Sequence, residues 1–273
     1  MVSSPTTPSS VQAALARGDL DAATRTVMDE VRAKPSVLAP RLALFQLAAL
    51  AGDWARAAKQ LEAAAGIDAE AAPMAQTYAA AVEAESVRRA VFAGAERAVC
   101  LGEPPAWVAM LSEALSLDAH DAGKAAAELR ERALAEADAV AGTADGTPFA
   151  WIMDADVRLG PLLELVADGR YRWLPLAQLR ELRADPPRDH TDLIWVRATL
   201  TLASGGEIAA LVPARYPSSE LAANPMVRLG RLTVWVDTPG GQFGAGQRIM
   251  ATDVGDHPLL ELRHVRLGPD GDG

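Results

Sequence analysis

Gly18-Asp19-Leu20-Asp21-Ala22-Ala23 returns 34 positions later as Gly52-Asp53-Trp54-Ala55-Arg56-Ala57. An interval of ~34 residues is the period of the tetratricopeptide repeat. Each residue type has a physical task at its place. The glycine ends one helix, the aspartate caps the next, a large apolar residue plugs the turn, and a small alanine lets paired helices approach closely. Val27 and Leu61 follow each last alanine by four residues, and Pro35 punctuates the first unit. Asp121-Ala122-Gly123-Lys124-Ala125-Ala126 is a degenerate third copy without the glycine register, and 73–101 reads as one long helix. Two clear copies are fewer than a solenoid ordinarily needs, so the rest of the helical region, or the C-terminal half of the chain, must cap the stack.

Working outward, residues 1–10 read as a disordered N-terminus and 11–141 as the helical domain, alanine-rich with apolar residues at helical spacing. Ala141-Gly142-Thr143-Ala144-Asp145-Gly146-Thr147-Pro148 is rich in small turn-formers, which predicts a linker over 142–148. From 149 to 268 the chain is rich in Gly, Pro, Trp and period-2 runs, and 269–273 reads as a flexible tail. Strands are predicted at 149–153, 162–167, 171–174, 193–202, 207–212, 231–236, 248–252 and 259–267. The clearest pair flanks Ala203-Ser204-Gly205-Gly206 and makes a hairpin. A short helix is expected over Leu176 to Leu182, behind Pro175 at its first position. The fold class is therefore α+β: tetratricopeptide-like helical hairpins followed by a small antiparallel, barrel-like β domain.

Composition narrows the function. The 273 residues are 50% hydrophobic, enough for a sizeable core. Twenty-six Lys+Arg against 36 Asp+Glu give a net charge of −10, which opposes nucleic-acid binding because phosphate neutralisation needs a basic face. Cys100 is the single cysteine, which excludes an intramolecular disulfide and predicts a buried, inert thiol. The first ten residues lack the basic and apolar regions of a signal peptide, and no long apolar run follows, so a cytoplasmic protein without a membrane span is expected.

The densest polar constellation runs from Trp151 through Asp154, Asp156, Arg158, Leu159, Gly160 and Pro161 to Glu164. Asp154 and Asp156, two apart at a strand end, project to one side and suit a hard cation, or an acid/base pair with Glu164 in a metal-assisted hydrolase. In the competing reading, which is preferred, Arg158 pairs with one aspartate and the other caps the turn before Gly160-Pro161. His190 lies beside Pro186 and Pro187 in a segment expected to be a solvated loop. Gly240-Gly241-Gln242-Phe243-Gly244-Ala245-Gly246-Gln247-Arg248 lacks a Lys-Ser/Thr ending and precedes a strand, so a flexible loop is expected there. Trp151, Trp173, Trp195 and Trp235 fall on predicted strands, where core packing is the default. No catalytic residue, metal or cofactor is assigned.

The run Trp151 to Glu164, followed by Gly169-Arg170-Tyr171-Arg172-Trp173-Leu174-Pro175, resembles the signature of the ImpE/TagJ (SciE-type) family. Further matching stretches are Asp192-Leu193-Ile194-Trp195, Leu211-Val212-Pro213-Ala214-Arg215-Tyr216 and Gly246-Gln247-Arg248. The resemblance implies a cytoplasmic, non-enzymatic accessory protein of type VI secretion. It further implies an adaptor that binds a helix of the small contractile-sheath subunit (TssB type) and is linked to sheath disassembly by the ClpV-type AAA+ ATPase. It assigns no role to the signature residues Trp151, Asp154, Asp156, Arg158, Leu159, Gly160, Pro161, Glu164, Tyr171, Trp173 and Pro175. A generic peptide-binding repeat scaffold is the other alternative.

Stacked hairpins form a groove that accepts a helix with apolar anchors at i, i+3, i+4 and i+7. The stretch 41–50 is apolar nearly all round, so one side faces its partner helix and another must be covered by something else. Leu42, Phe45 and Gln46 are the candidate partner-binding residues there, with coverage by the protein's own helix or β domain as the alternative.

Overall fold

The computed structural model describes residues 9–268. Among them, seven α-helices precede the strands: α1 (Ser10–Ala16), α2 (Leu20–Ala33), α3 (Leu38–Leu50), α4 (Trp54–Ile67), α5 (Ala72–Phe92), α6 (Ala106–Ala119) and α7 (Gly123–Glu136). Most of the N-terminal and all of the C-terminal stretch expected to be disordered lie outside the described residues. Ser9 and Ser10 do not, and they are ordered: Ser9 forms a capping box with Gln12, and Ser10 begins α1.

The two copies of the hexapeptide fold alike. Gly18 and Gly52 have φ of 79° and 73°, which places them in the left-handed region that closes a helix. Asp19 then accepts from Ala22 N at 2.9 Å and Asp53 from Arg56 N at 3.0 Å, capping α2 and α4. Ala23 and Ala57 are fully buried where neighbouring helices meet. The same closing bond recurs in the degenerate unit, because Asp19 N reaches Ala14 O and Ala122 N reaches Leu117 O, both at 2.9 Å. There Asp121, at φ 59°, occupies the glycine's place.

The predicted 73–101 helix ends early. Gly94, at φ 67°, closes α5 after Phe92, with Ala95 N bonded to Ala90 O. The chain beyond turns to the sheet, where Leu101 N donates to Trp173 O at 2.8 Å.

The strands are β1 (Gly142–Ala144), β2 (Thr147–Phe149), β3 (Ile152–Asp154), β4 (Leu162–Ala167), β5 (Arg170–Pro175), β6 (Leu179–Ala184), β7 (Trp195–Leu202), β8 (Glu207–Pro213), β9 (Thr233–Thr238), β10 (Gly241–Gly246), β11 (Ile249–Thr252), β12 (Gly255–Pro258) and β13 (His264–Leu267). A short helix, α8 (Pro225–Arg228), lies between β8 and β9. Eight strands form one antiparallel sheet in the order β2-β1-β13-β6-β7-β8-β4-β5. Its edges, β2 and β5, are not joined, so the expected barrel is an open sheet. Strands β12-β11-β3 form a second sheet and β9-β10 a separate ribbon.

Several expectations change for identifiable reasons. The 142–148 stretch is the β1–β2 hairpin, closed by Asp145-Gly146 at φ 48° and 84°. The helix expected at 176–182 is one 3-10 turn (Leu176–Gln178) followed by β6. A register shift between Leu179 and Glu181 breaks the period-2 pattern, so the apolar spacing imitates a helix. Gly241–Gly246 is a strand, not a loop. A Cβ at Gly244 would stand 2.4 Å from the Tyr216 ring, so the glycine marks close packing. Trp151 lies between β2 and β3, where the chain changes sheets, and Trp235 is 37% exposed instead of buried. The segment around His190 is a 3-10 turn capped by Asp189 and Asp192.

Strand β4 is buried on both faces. On β4, Leu162 and Val166 join the core formed with the helices, and Leu163, Leu165 and Ala167 join a second core with Ile152, Met250 and Leu259. Alternation of side chains explains why every residue of this strand is buried. The first core runs without interruption from Leu44, Phe45 and Tyr78 into Trp173, Trp195 and Leu211.

Candidate functional site

The charged signature residues, with Tyr171 and Trp173, meet at the seam between α5 and the sheet, whereas Trp151 and Pro175 are not part of that contact. Asp154 ends β3, and Asp156 and Arg158 occupy the turn that Gly160 and Pro161 complete before β4. Asp154 Oδ1 accepts from Asp156 N at 2.8 Å, and Asp156 Oδ1 accepts from Arg158 N at 2.9 Å. The carboxylates thus hold the turn's backbone. Arg158 also forks onto Asp156 through Nε at 2.9 Å and Nη2 at 2.5 Å, while Gly244 N donates to Asp156 Oδ2 at 2.7 Å. The Arg158 guanidinium lies over the Phe243 ring at 4.5 Å and the Phe92 ring at 5.4 Å, bridging ribbon and helix.

Glu164 projects from β4 into the seam and is fully buried. Arg88 of α5 binds it bidentately, through Nε at 2.8 Å and Nη2 at 2.6 Å. Tyr171 OH donates to the same carboxylate at 2.6 Å and receives Trp173 Nε1–H at 2.8 Å. Arg88 Nη2 also donates to Arg215 O at 2.8 Å. Glu85, one turn before Arg88, accepts from Trp195 Nε1 at 2.9 Å. Arg248 lies against Glu164 and stands 3.3 Å from Asp154. Leu159 is buried in the shared core, and Pro175 ends β5 opposite Leu162.

Burial dominates the electrostatics. It pushes the Asp154 carboxyl up to about 7 against the pull of Arg248, and Asp156 pushes in the same direction. Burial lowers Arg248 and Arg215 to about 10, with neighbouring carboxylates opposing it. The hydroxyls of Tyr171 and Tyr216 are raised by burial. The three carboxylates proposed as a metal or acid/base cluster are therefore committed to Arg88, Arg158, Arg248 and the backbone. A divalent cation among them would have to displace guanidinium groups. No group of three or more His, Cys, Asp or Glu suited to a metal occurs among the described residues.

Sequence reasoning missed Arg88 and Glu85. Their signal was a charged i, i+3 pair within an alanine-rich helix. On α3, Phe45 packs on Tyr78 with ring centroids 5.6 Å apart and is 1% exposed, so it is a core residue and not a partner contact. Leu42 and Gln46 are half-buried on that helix. Cys100 is also half-buried, and burial raises its thiol.

Beyond the seam, the helix-facing side of the sheet opens into a groove of about 720 Å³. Gln76, Thr77 and Ala80 of α5 form one wall, and Val166, Thr199, Ala209 and Leu211 form the floor. Asp168, Asp185 and Arg197 stand around it. Arg197 is held by Asp192 at 2.9 Å and stands 3.6 Å from Asp185, which Arg188 also binds at 3.0 Å, so these charges are already paired. No helix among the described residues is long and apolar enough to cross a membrane.

Residues 146–266 match the ImpE protein family. The chain is 47% identical over 255 residues to the type VI secretion system accessory component TagJ of Pseudomonas aeruginosa, covering 93% of this chain and 90% of that protein. It shares its fold with the crystal structure of protein VPA1032 from Vibrio parahaemolyticus, at a TM-score of 0.86 and 22% identity over 95% of this chain and 98% of that one. With 47% identity to TagJ over nearly the full length of both chains and the family match over residues 146–266, the chain belongs to the ImpE/TagJ family.

Proposed function

We propose that this protein is a cytoplasmic, non-enzymatic adaptor of type VI secretion. It holds an amphipathic helix of the small contractile-sheath subunit and assists sheath assembly and recycling with the ClpV-type ATPase. The accessory role is supported by the relationship to TagJ, which is named an accessory component of that system. The observation that carries helix binding is the groove between α5 and the uncovered face of β7 and β8. Its floor is small and apolar, and a helix laid there would extend the layer that α5 begins. The chain's net charge of −10 favours basic residues flanking the helix's apolar face and makes the association salt-sensitive. Tetratricopeptide-like stacking of the hairpins belongs to the same reading, supported by the identical turns at Gly18 and Gly52.

The test is titration of the full-length protein with the purified sheath subunit and with its helix peptide. Ala209 is exposed on the groove floor. Ala209→Trp is expected to weaken binding at least about tenfold, equivalent to ~1.4 kcal/mol, while leaving the melting temperature unchanged. Binding that survives Ala209→Trp but is lost on substituting Leu42 or Gln46 moves the site to α3. Absence of binding by the intact protein removes the adaptor reading.

A further inference from the structure

Leu232, Val234, Trp235 and Val236 are 42%, 37%, 37% and 52% exposed, a run of large apolar side chains on or beside one strand. That strand, β9, pairs only with β10 among the described residues, so its second edge is unpaired. Natural sheets protect such edges with charge, proline or bulges, and this one presents Val-Trp-Val.

The register decides which backbone groups the edge offers. Thr238 pairs with Gly241 across the two-residue turn Pro239-Gly240, Val236 with Phe243 and Val234 with Ala245. In such a hairpin the pair flanking the turn is hydrogen-bonded and bonded pairs alternate from there. Val234, Val236 and Thr238 therefore direct their N–H and C=O groups to β10. Thr233, Trp235 and Asp237 direct theirs outward.

We propose that this edge joins a second copy of the chain, β9 against β9 in antiparallel sense, making a four-stranded sheet across a two-fold axis. Self-complementarity identifies the occupant. With the axis on Trp235, the outward groups of all three residues are used: Trp235 pairs with its own copy, and Thr233 with Asp237 twice. Between them Val234 meets Val236 twice. Apolar residues face apolar ones, each aspartate meets a hydroxyl, and the two aspartates lie about 13 Å apart along the strands. Shifting the axis by one residue leaves one of the three outward residues without a partner inside β9. An isologous contact of this kind closes on itself. A single strand edge buries less than the ~1,200 Å² of stable complexes, so the dimer is weak and concentration-dependent.

Sedimentation velocity of the full chain over two decades of micromolar concentration is expected to show a reversible monomer–dimer equilibrium. Val236→Lys, at an exposed position, should weaken it at least tenfold without changing the circular dichroism or melting temperature. In a Cys100→Ala background, Trp235→Cys should form a disulfide-linked dimer, and a mixture of Thr233→Cys and Asp237→Cys chains should cross-link to each other. The mixture serves if Trp235→Cys folds poorly, since Trp235 packs on Tyr216. Asp237→Cys alone should form no disulfide-linked dimer, because its two Cα atoms lie beyond the ~7 Å reach of a disulfide. A chain that is monomeric throughout, a dimer indifferent to Val236→Lys, or cross-linking of Asp237→Cys alone as efficient as that of the mixture would overturn the proposal.

Discussion

Arg88 reaches from α5 across the seam to Glu164 on β4, and both side chains are out of solvent. Removing one partner of a buried pair leaves the other charge uncompensated. Arg88→Met is therefore expected to destabilise the protein by about 3–5 kcal/mol, measured by urea denaturation, and a loss below about 1 kcal/mol would contradict the clamp. Asp154 makes the opposite kind of prediction. Its carboxyl is raised to about 7 in the folded state, mainly by burial. The folded protein therefore holds this proton more tightly than the unfolded chain does. Its stabilising contribution is complete below about pH 4 and is lost as pH rises through about 7. Asp154→Asn is expected to gain on the wild type across that window, on the order of 2–4 kcal/mol by pH 8. Melting curves at several pH values would show it, and parallel curves for the two proteins would refute it.

Among the elements, the caps of α2 and α4 are the plainest link from sequence to structure. Asp53 is partly exposed and accepts one backbone N–H. Asp53→Ala is expected to cost about 1 kcal/mol and Asp53→Asn only a few tenths, read from denaturation midpoints at constant slope. A glycine-based turn and a side-chain cap are local devices, so the hexapeptide declared them. The β elements were legible where a run of apolar and β-branched residues was bounded by turn-formers, as in β4, β7 and β8. They were illegible where another constraint interfered. A register shift disguised β6, close packing against Tyr216, Val157 and the Leu232 backbone placed glycines along β10, and β1 and β2 are only three residues each. The Asp145-Gly146 dipeptide was a usable hairpin signal, masked by the small residues around it.

For the whole molecule, the shared core has a thermodynamic consequence. Tyr78 and Phe45 from the helices pack in one cluster with Trp173, Trp195 and Leu211 from the sheet, and the Arg88–Glu164 pair crosses the same seam. The helical and β halves are expected to unfold together. Far-ultraviolet circular dichroism and tryptophan fluorescence should report coincident thermal transitions, and two separated transitions would show independent domains. For the same reason, a fragment ending at residue 141 exposes apolar surface from this core and should be less stable than the intact chain.

The sequence by itself determined the helical-then-β order, the repeated capped turns, the principal hairpin and, through its signature residues, the family. Those features depend on contacts between near neighbours in the chain, where spacing and residue type are sufficient. The distant partners of the signature were decided only by tertiary structure. The preferred reading, an Arg158 pair and a capped turn, is local and legible, but a ligand or acid/base role for Asp154, Asp156 and Glu164 stays open until Arg88, 76 residues before Glu164, and Arg248 are brought beside them. A carboxylate's chemistry is set by the charges around it and by its removal from water. Both depend on partners far along the chain, which no local spacing specifies.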